Sequence, residues 1–115
     1  MEPRLAAHVL VGALIRRASV QGDFAVVLKK GDPVSGAIVL SCLIRGQDTV
    51  IYEKFPSLSG QTEWTKTLQI TMSENADSQD KYDAYLNRRA AQDRDLWLIE
   101  LDTADQERLT LLLSE

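Results

Sequence analysis

The sequence predicts an α+β fold, in which an antiparallel sheet of about five strands carries two long helices mainly on one face. Apolar residues recur at helical spacing near the start of the chain and again around residue 85. Between these regions lie four short segments of β-branched and apolar residues, separated by turn residues. Another apolar segment near residue 98 precedes a last amphipathic stretch. The predicted order is therefore α-β-β-β-β-α-β-α, within a single domain over residues 1–115.

The first helix is predicted over residues 5–19, because apolar residues form a stripe along one side. The stripe consists of Leu5, Val9, Gly12 and Ala13, widened by Leu10, Leu14 and Ala18. Gly22 is placed to end this helix. Gly12 is a poor helix former, so we expect it to mark close backbone packing.

Four consecutive strands are predicted to form a meander. Their ranges are residues 24–30, 37–44, 49–55 and 63–71. Residues 31–36 contain glycine, aspartate and proline, and residues 45–48 contain glycine and aspartate, which are typical of tight turns. Both segments are interpreted as hairpin turns. The second strand is apolar on both faces, with Ile38, Leu40 and Cys42 on one and Val39 and Leu43 on the other. The strand is therefore expected to be buried on both sides.

The last third of the chain predicts helix, strand and helix. The second long helix covers residues 79–92, with Asp77 or Ser78 as its N-cap. Its core face is predicted to contain Tyr82, Tyr85, Leu86 and Ala90. A fifth strand covers residues 96–101. The short final helix is expected to begin at Thr103, where a Thr-x-x-Gln capping pattern starts.

Composition and charge restrict the class of protein. The chain has 115 residues, with 13 Lys and Arg against 17 Asp and Glu, for a net charge of −4. An acidic total does not favour nucleic acid, since phosphate contacts need a basic surface. The single cysteine, Cys42, indicates a reducing compartment. No apolar segment approaches the roughly 20 residues of a membrane span, and the start lacks a signal-peptide pattern. We expect a cytoplasmic protein without membrane association.

Several segments together resemble a known family of short bacterial proteins from alpha-class proteobacteria, catalogued as a domain of unknown function. The resemblance rests on the stretches 13–18, 31–33, 36–37, 85–89 and 93–97, together with Glu100. They read ALIRRA, GDP, GA, YLNRR and DRDLW, in the same order and with similar spacing. The family carries a proline where this chain has Arg94. The resemblance implies fold class and type of organism, but no activity.

The sequence offers few residues for nucleotide, zinc or nucleophilic chemistry. Gly31 and Gly36 have phosphate-loop spacing, but the lysine and hydroxyl residue that should follow are absent, and the segment joins two strands. His8 is the only histidine, whereas zinc sites need several His or Cys ligands. Cys42 lies inside an apolar strand, so we interpret it as a buried structural thiol. No catalytic residue, metal or cofactor is predicted.

Acidic residues near the fifth strand form one candidate site. Glu100 and Asp102 point to the same face of that strand, and with Asp95 they would suit a metal-assisted enzyme. Asp93 and Asp95 resemble the start of a calcium loop, but the glycine and acid required further along are absent. The alternative is that Glu100 pairs with an arginine in an architectural contact.

Two arginine doublets form the other candidate site. Arg16 and Arg17 end the first helix, and Arg88 and Arg89 end the second. If these helices lie side by side, the four guanidinium groups could converge on an anion or a nucleic acid. The alternative is ion pairing, and we predict that at least one of these arginines is held by Asp93, Asp95 or Glu100.

The leading functional interpretation is a small non-catalytic protein that acts as a homodimer or binds a protein partner. Two helices on one face would leave the opposite apolar face of the sheet bare, which soluble monomers rarely tolerate. That face would contain Val39 and Leu43, extended by Val27 and Ile51. The final helix could cover it instead. The anion-binding module and the metal-assisted enzyme are the two alternatives.

Overall fold

The computed structural model describes residues 6–45, 48–54, 64–71 and 76–114, and its elements follow the predicted order. The elements are α1 (Ala7–Gln21), β1 (Phe24–Lys29), β2 (Ile38–Ile44), β3 (Asp48–Lys54), β4 (Thr65–Thr71), α2 (Ala76–Gln92), β5 (Trp97–Thr103) and α3 (Gln106–Leu113). The α+β class is thus confirmed. The predicted turn at 45–48 and the polar loop after β3 lie partly or wholly outside the described residues.

The five strands form one mixed sheet in the order β1-β5-β2-β3-β4. The pairings of β1 with β5, β2 with β3 and β3 with β4 are antiparallel. β2 and β5 are parallel, from Ile38 opposite Trp97 to Ile44 opposite Thr103. The predicted meander therefore holds for β2, β3 and β4 but is wrong for β1. β5 thus lies between β1 and β2, and its Trp97, Ile99 and Leu101 are buried.

The segment between β1 and β2 is a crossing over the start of β5, and the predicted hairpin there is wrong. The backbone N–H of Asp32 donates to the carbonyl of Asp95 at 2.9 Å, and the indole N–H of Trp97 donates to the carbonyl of Asp32 at 2.7 Å. A Cβ on Gly36 would collide with the carbonyl oxygen of Asp95. Glycine is needed here because two backbones approach closely.

The two long helices lie on opposite faces of the sheet, and the prediction that both cover mainly one face is wrong. α1 and α3 pack on the face that carries Ile38, Leu40 and Cys42 of β2. The side chains of α2 pack on the face that carries Val39 of β2 and Ile51 of β3. The reason is that β2 is mainly apolar and is buried on both faces over residues 38–42, so each face needs its own helical cover.

α1 is rotated relative to the predicted stripe. Its buried residues are Ala7, Val11, Leu14 and Ala18. Val9, placed in the predicted stripe, is 41% exposed. Gly22 ends the helix as predicted, in the left-handed conformation with a φ of 86°. Gly12 does not mark close packing, since the nearest atom to an added Cβ would be Nη1 of Arg16 at 3.6 Å.

The later helices differ from prediction mainly at their starts. α2 begins at Ala76, and the predicted N-cap side chains of Asp77 and Ser78 lie outside the described part. Its predicted core residues Tyr82, Tyr85 and Leu86 do pack against the sheet. α3 begins at Gln106, capped by Asp105, and Thr103 ends β5 instead. Within the described residues, no helix is long and apolar enough to cross a membrane.

Candidate functional site

The strand β1 forms one edge of the sheet and is apolar and exposed. It pairs with β5 on one side, and no strand of the described residues pairs with its other side. The exposed fractions are 80% for Phe24, 53% for Val26, 36% for Val27 and 51% for Leu28. An edge strand presents unpaired backbone N–H and C=O groups that can pair with another chain. β1 therefore combines a free hydrogen-bonding edge with apolar side chains.

The charged side chain at the end of β1, Lys29, is bound to the backbone near the start of β5. The ammonium of Lys29 donates to the carbonyls of Arg94 at 2.8 Å and Leu96 at 2.9 Å. Exposed lysines are a common protection of sheet edges against association. The register shifts between Val27 and Lys29, so the strand is regular only over residues 24–27. That regular part carries no charge.

A cavity of about 430 Å³ lies between the C-terminal parts of α1 and α3. Its lining residues are Arg16, Arg17, Val20, Gln21, Leu111, Leu112 and Ser114. Leu112 is buried beneath it, whereas Val20 is 88% and Leu111 63% exposed. The first arginine doublet therefore borders an apolar concave surface that the sequence alone did not indicate.

The two arginine doublets do not converge, because α1 and α2 lie on opposite faces of the sheet. Arg88 is exposed, and its guanidinium lies 5.8 Å from the ring centroid of Tyr85. Arg89 is bound to Glu53, with Nη2 at 2.7 Å and Nε at 2.9 Å from Oε1. An anion site built from all four arginines is therefore excluded by the fold.

Glu53 is the buried carboxylate that sequence reasoning missed. It lies on the α2 face of β3, accepts a hydrogen bond from the hydroxyl of Tyr85, and is 1% exposed. Burial alone would raise the pKa of Glu53. Hydrogen bonds from Tyr85, Arg89 and Thr67 and the positive charge of Arg89 nevertheless hold this pKa below its ordinary value. The available signal was strand alternation, which places Glu53 on the same face as Ile51.

A second missed carboxylate joins three elements at the opposite end of the sheet. Asp23 is buried and accepts hydrogen bonds from Thr103 at 3.1 Å, Gln21 at 3.2 Å and Arg108 at 3.4 Å. These donors belong to β5, α1 and α3. Asp23 thereby links the end of α1 to the last helix.

The predicted acidic site is spread along β5. Asp95 is exposed in the turn before the strand, and Glu100 and Asp102 share one face of it. Seven residues separate Asp95 from Asp102, or about 20 Å along a strand. Among the described residues, Glu100 forms no ion pair, and no three His, Cys, Asp or Glu residues are grouped to hold a metal ion. Within the described part of the chain, Arg89 is thus paired with Glu53, and Glu100 is not the partner of a doublet arginine.

His8 and Cys42 have structural environments. The Nδ1 of His8 donates to the carbonyl of Pro33 at 3.0 Å, which joins the start of α1 to the crossing segment. Cys42 is a buried free cysteine in β2, and burial raises the pKa of its thiol. The interpretation of Cys42 as a buried structural thiol is confirmed.

Three solved structures are similar over most of this chain. A crystal structure of a DUF1491 family protein from Caulobacter crescentus CB15 is 29% identical, with 88% of this chain and 90% of that chain covered and a TM-score of 0.71. A solution structure of a protein from A. tumefaciens is 28% identical, with coverages of 97% and 94% and a TM-score of 0.74. An NMR structure of a DUF1491 family protein from Caulobacter crescentus CB15 is 30% identical, with coverages of 90% and 90% and a TM-score of 0.72.

The family comparison covers nearly the whole chain. No curated protein matches this sequence. The profile of DUF1491, described as a protein of unknown function, matches residues 5–111. The resemblance to a family of short alphaproteobacterial proteins is thereby confirmed, and the chain belongs to the DUF1491 family.

Proposed function

We propose that the protein is a non-catalytic interaction protein that acts as a homodimer, in which β1 of one copy pairs antiparallel with β1 of the other. The observation that carries this proposal is the exposed apolar edge at residues 24–28. Two five-stranded sheets joined in this way form one continuous ten-stranded sheet. Both free edges are removed from solvent by a single two-fold contact.

A second copy fits this edge better than a charged partner does. Antiparallel pairing about a two-fold axis sets residues 24–27 against themselves, so no like charges face each other. The ammonium of Lys29 remains bound to the backbone before β5 in each copy. Phe24 and Val26, which extend from the same face, would gain cross-strand apolar contacts. These contacts add burial to the backbone hydrogen bonds.

The alternative functions receive less support from the fold. A nucleic acid would meet Glu100 and Asp102, which lie opposite Val26 and Phe24 in the register of β1 and β5. A metal-assisted enzyme would need Asp95 near those two carboxylates, but they are at opposite ends of the strand. The cytoplasmic location inferred from the composition stays a prediction.

The test is the mass in solution, measured by light scattering at micromolar concentration. We expect the parent to have twice the 12.8 kDa mass of one chain. Val26→Lys places two charges beside the two-fold axis and should give the single-chain mass with an unchanged circular dichroism spectrum. Val34→Lys changes an exposed valine outside β1 and should leave the dimer intact. A monomeric parent, or a dimeric Val26→Lys variant, would overturn the proposal.

A further inference from the structure

We propose that the cavity between α1 and α3 binds a small anionic amphiphile, meaning a carboxylate or sulfonate joined to an apolar chain or ring. This site is separate from β1 and does not depend on dimer formation. Its volume of about 430 Å³ falls within the usual range of ligand pockets, roughly 300–1,000 Å³. An apolar surface bordered by cations is the feature that determines the ligand class.

The apolar half of the ligand is inferred from the cavity wall. Leu112 forms a buried floor, and Val20 and Leu111 stand exposed at the rim. Both rim residues are aliphatic and come from different helices, so a hydrocarbon group between them would cover each of them. Removing this apolar surface from water supplies a favourable free energy that a purely ionic ligand would not gain.

The charged half is inferred from Arg16. Arg16 and Arg17 line the cavity, and no carboxylate is among the described residues that do so. Arg16 is exposed and forms no ion pair within the described residues. A guanidinium is a planar donor that suits carboxylate and sulfonate oxygens.

The helix ends at this cavity weaken the attraction for an anion but do not remove it. Each helix C-terminus carries about half a negative elementary charge, and this partial charge is screened by solvent at an exposed surface. The guanidinium of Arg16 carries a full charge and donates charge-assisted hydrogen bonds, which are the stronger interaction. Some carbonyls of the last turns are also occupied. Gly22 N–H donates to Ser19 O at 3.0 Å, and Ser114 N–H donates to Thr110 O at 3.1 Å. An anion is therefore attracted chiefly by the guanidinium of Arg16.

The test uses three probes that share a ten-carbon chain: decanoate, decan-1-ol and decyltrimethylammonium. Each is titrated below its micelle concentration against the protein with bound 8-anilinonaphthalene-1-sulfonate, whose fluorescence reports displacement. We expect saturable binding of decanoate at one site per chain. Its affinity should exceed that of the alcohol by about tenfold, since charge-assisted hydrogen bonds are the stronger ones.

Variants locate the site. Arg16→Gln should weaken decanoate binding by about tenfold and leave decanol binding unchanged. Arg88→Gln removes another exposed arginine, on the other face, and should have no effect. Val20→Trp fills the cavity mouth from an exposed position and should abolish binding of both probes. Val26→Lys, which tests the dimer, should bind decanoate like the parent.

Three results would overturn the inference. The first is the lack of saturable decanoate binding to the parent. The second is equal affinity for all three probes, which would indicate unspecific apolar adsorption. The third is an Arg16→Gln variant that binds decanoate as tightly as the parent. None of these results depends on whether the protein dimerises, so the two proposals fail or stand separately.

Discussion

Arg89 of α2 places its Nη2 atom 2.7 Å from Oε1 of Glu53 in β3, and this ion pair ties the second long helix to the sheet. The Glu53 side chain is almost completely buried, and Tyr85 donates to its other oxygen. Breaking one partner of such a pair costs about 3–5 kcal/mol, because the other charge stays buried without compensation. The contact therefore explains why α2 is held on the face opposite α1.

Glu53→Gln should destabilise the protein by about 3 kcal/mol, because it removes the buried charge that binds Arg89. The matched control is Glu100→Gln. Glu100 is half-buried and forms no ion pair within the described residues, so its change should cost less than about 0.5 kcal/mol. Urea denaturation measures both free energies of unfolding. Equal losses of unfolding free energy for the two variants would contradict the ion pair between Glu53 and Arg89.

A double-mutant cycle isolates the pair itself. Arg89→Met and Glu53→Gln, alone and together, should show a coupling free energy of about 1–3 kcal/mol. The double variant is expected to be more stable than the sum of the single losses implies. Additive losses would show that the two side chains do not interact in solution.

The stability of the fold should depend on pH through Glu53. In the folded protein its pKa lies below the ordinary value of 4.5, because the hydrogen bonds and the charge of Arg89 outweigh the burial that alone would raise it. A lowered folded-state pKa stabilises the fold above the unfolded value and loses that effect as pH falls through the folded value. The gap between parent and Glu53→Gln should therefore shrink as pH falls from about 7 to about 3. A constant gap in denaturation midpoints would contradict this.

Gly36→Ala should destabilise the protein by about 1–3 kcal/mol, as typical overpacking does. The added Cβ would collide with the carbonyl of Asp95 and lie 2.9 Å from Cδ1 of Trp97. The start of β5 would have to move away from the crossing segment. Thermal unfolding measures the loss, and tryptophan fluorescence reports whether the environment of Trp97 changes. A variant as stable as the parent would show that the close approach is absent.

Gly12→Ala should stabilise the protein, in contrast to Gly36→Ala. Gly12 lies inside α1, and an added Cβ would meet only Nη1 of Arg16, at an ordinary contact distance. Alanine is favoured over glycine in a helix interior by about 0.5–1 kcal/mol, so the melting temperature should rise. A fall in melting temperature would indicate packing on Gly12 that the structure lacks.

Cys42 should resist thiol reagents until the protein unfolds. It is 0% exposed in the centre of β2, and burial disfavours its thiolate, the reactive form. We expect negligible labelling by iodoacetamide in the folded protein and one equivalent after denaturation. Fast labelling of the folded protein would show that α1 separates from the sheet with only a small free-energy cost.

Local patterns were sufficient for most elements of the fold. The type and order of every described helix and strand follow from apolar spacing and turn residues, and Gly22 ends α1 as its sequence position indicates. The buried thiol of Cys42 also follows from an apolar strand. These features depend on residues close together in the chain, so a single sequence carries enough information to predict them.

Placement in three dimensions depended on contacts between distant segments. The insertion of β5 between β1 and β2 exposed β1 as an edge strand, and no residue near β1 signals this. Which face α2 covers was decided by burial on both sides of β2 and by a carboxylate 36 residues away from Arg89. The spacing of neighbouring residues carries no information about contacts between segments far apart in the chain. For this reason the roles of Glu53 and Asp23 were missed.

The sequence by itself determined the α+β class, the order of elements, the family and the residue types available for chemistry. The tertiary structure alone decided which of those residues meet. Arg16 and Arg17 border an apolar cavity only because α3 returns to the end of α1, and Arg88 and Arg89 are separated from them by the sheet. The physical reason is that helix and strand formation depend mainly on neighbours in the chain. Sites form where the apolar faces of helices and sheets pack together, and that packing joins residues that are far apart in the sequence.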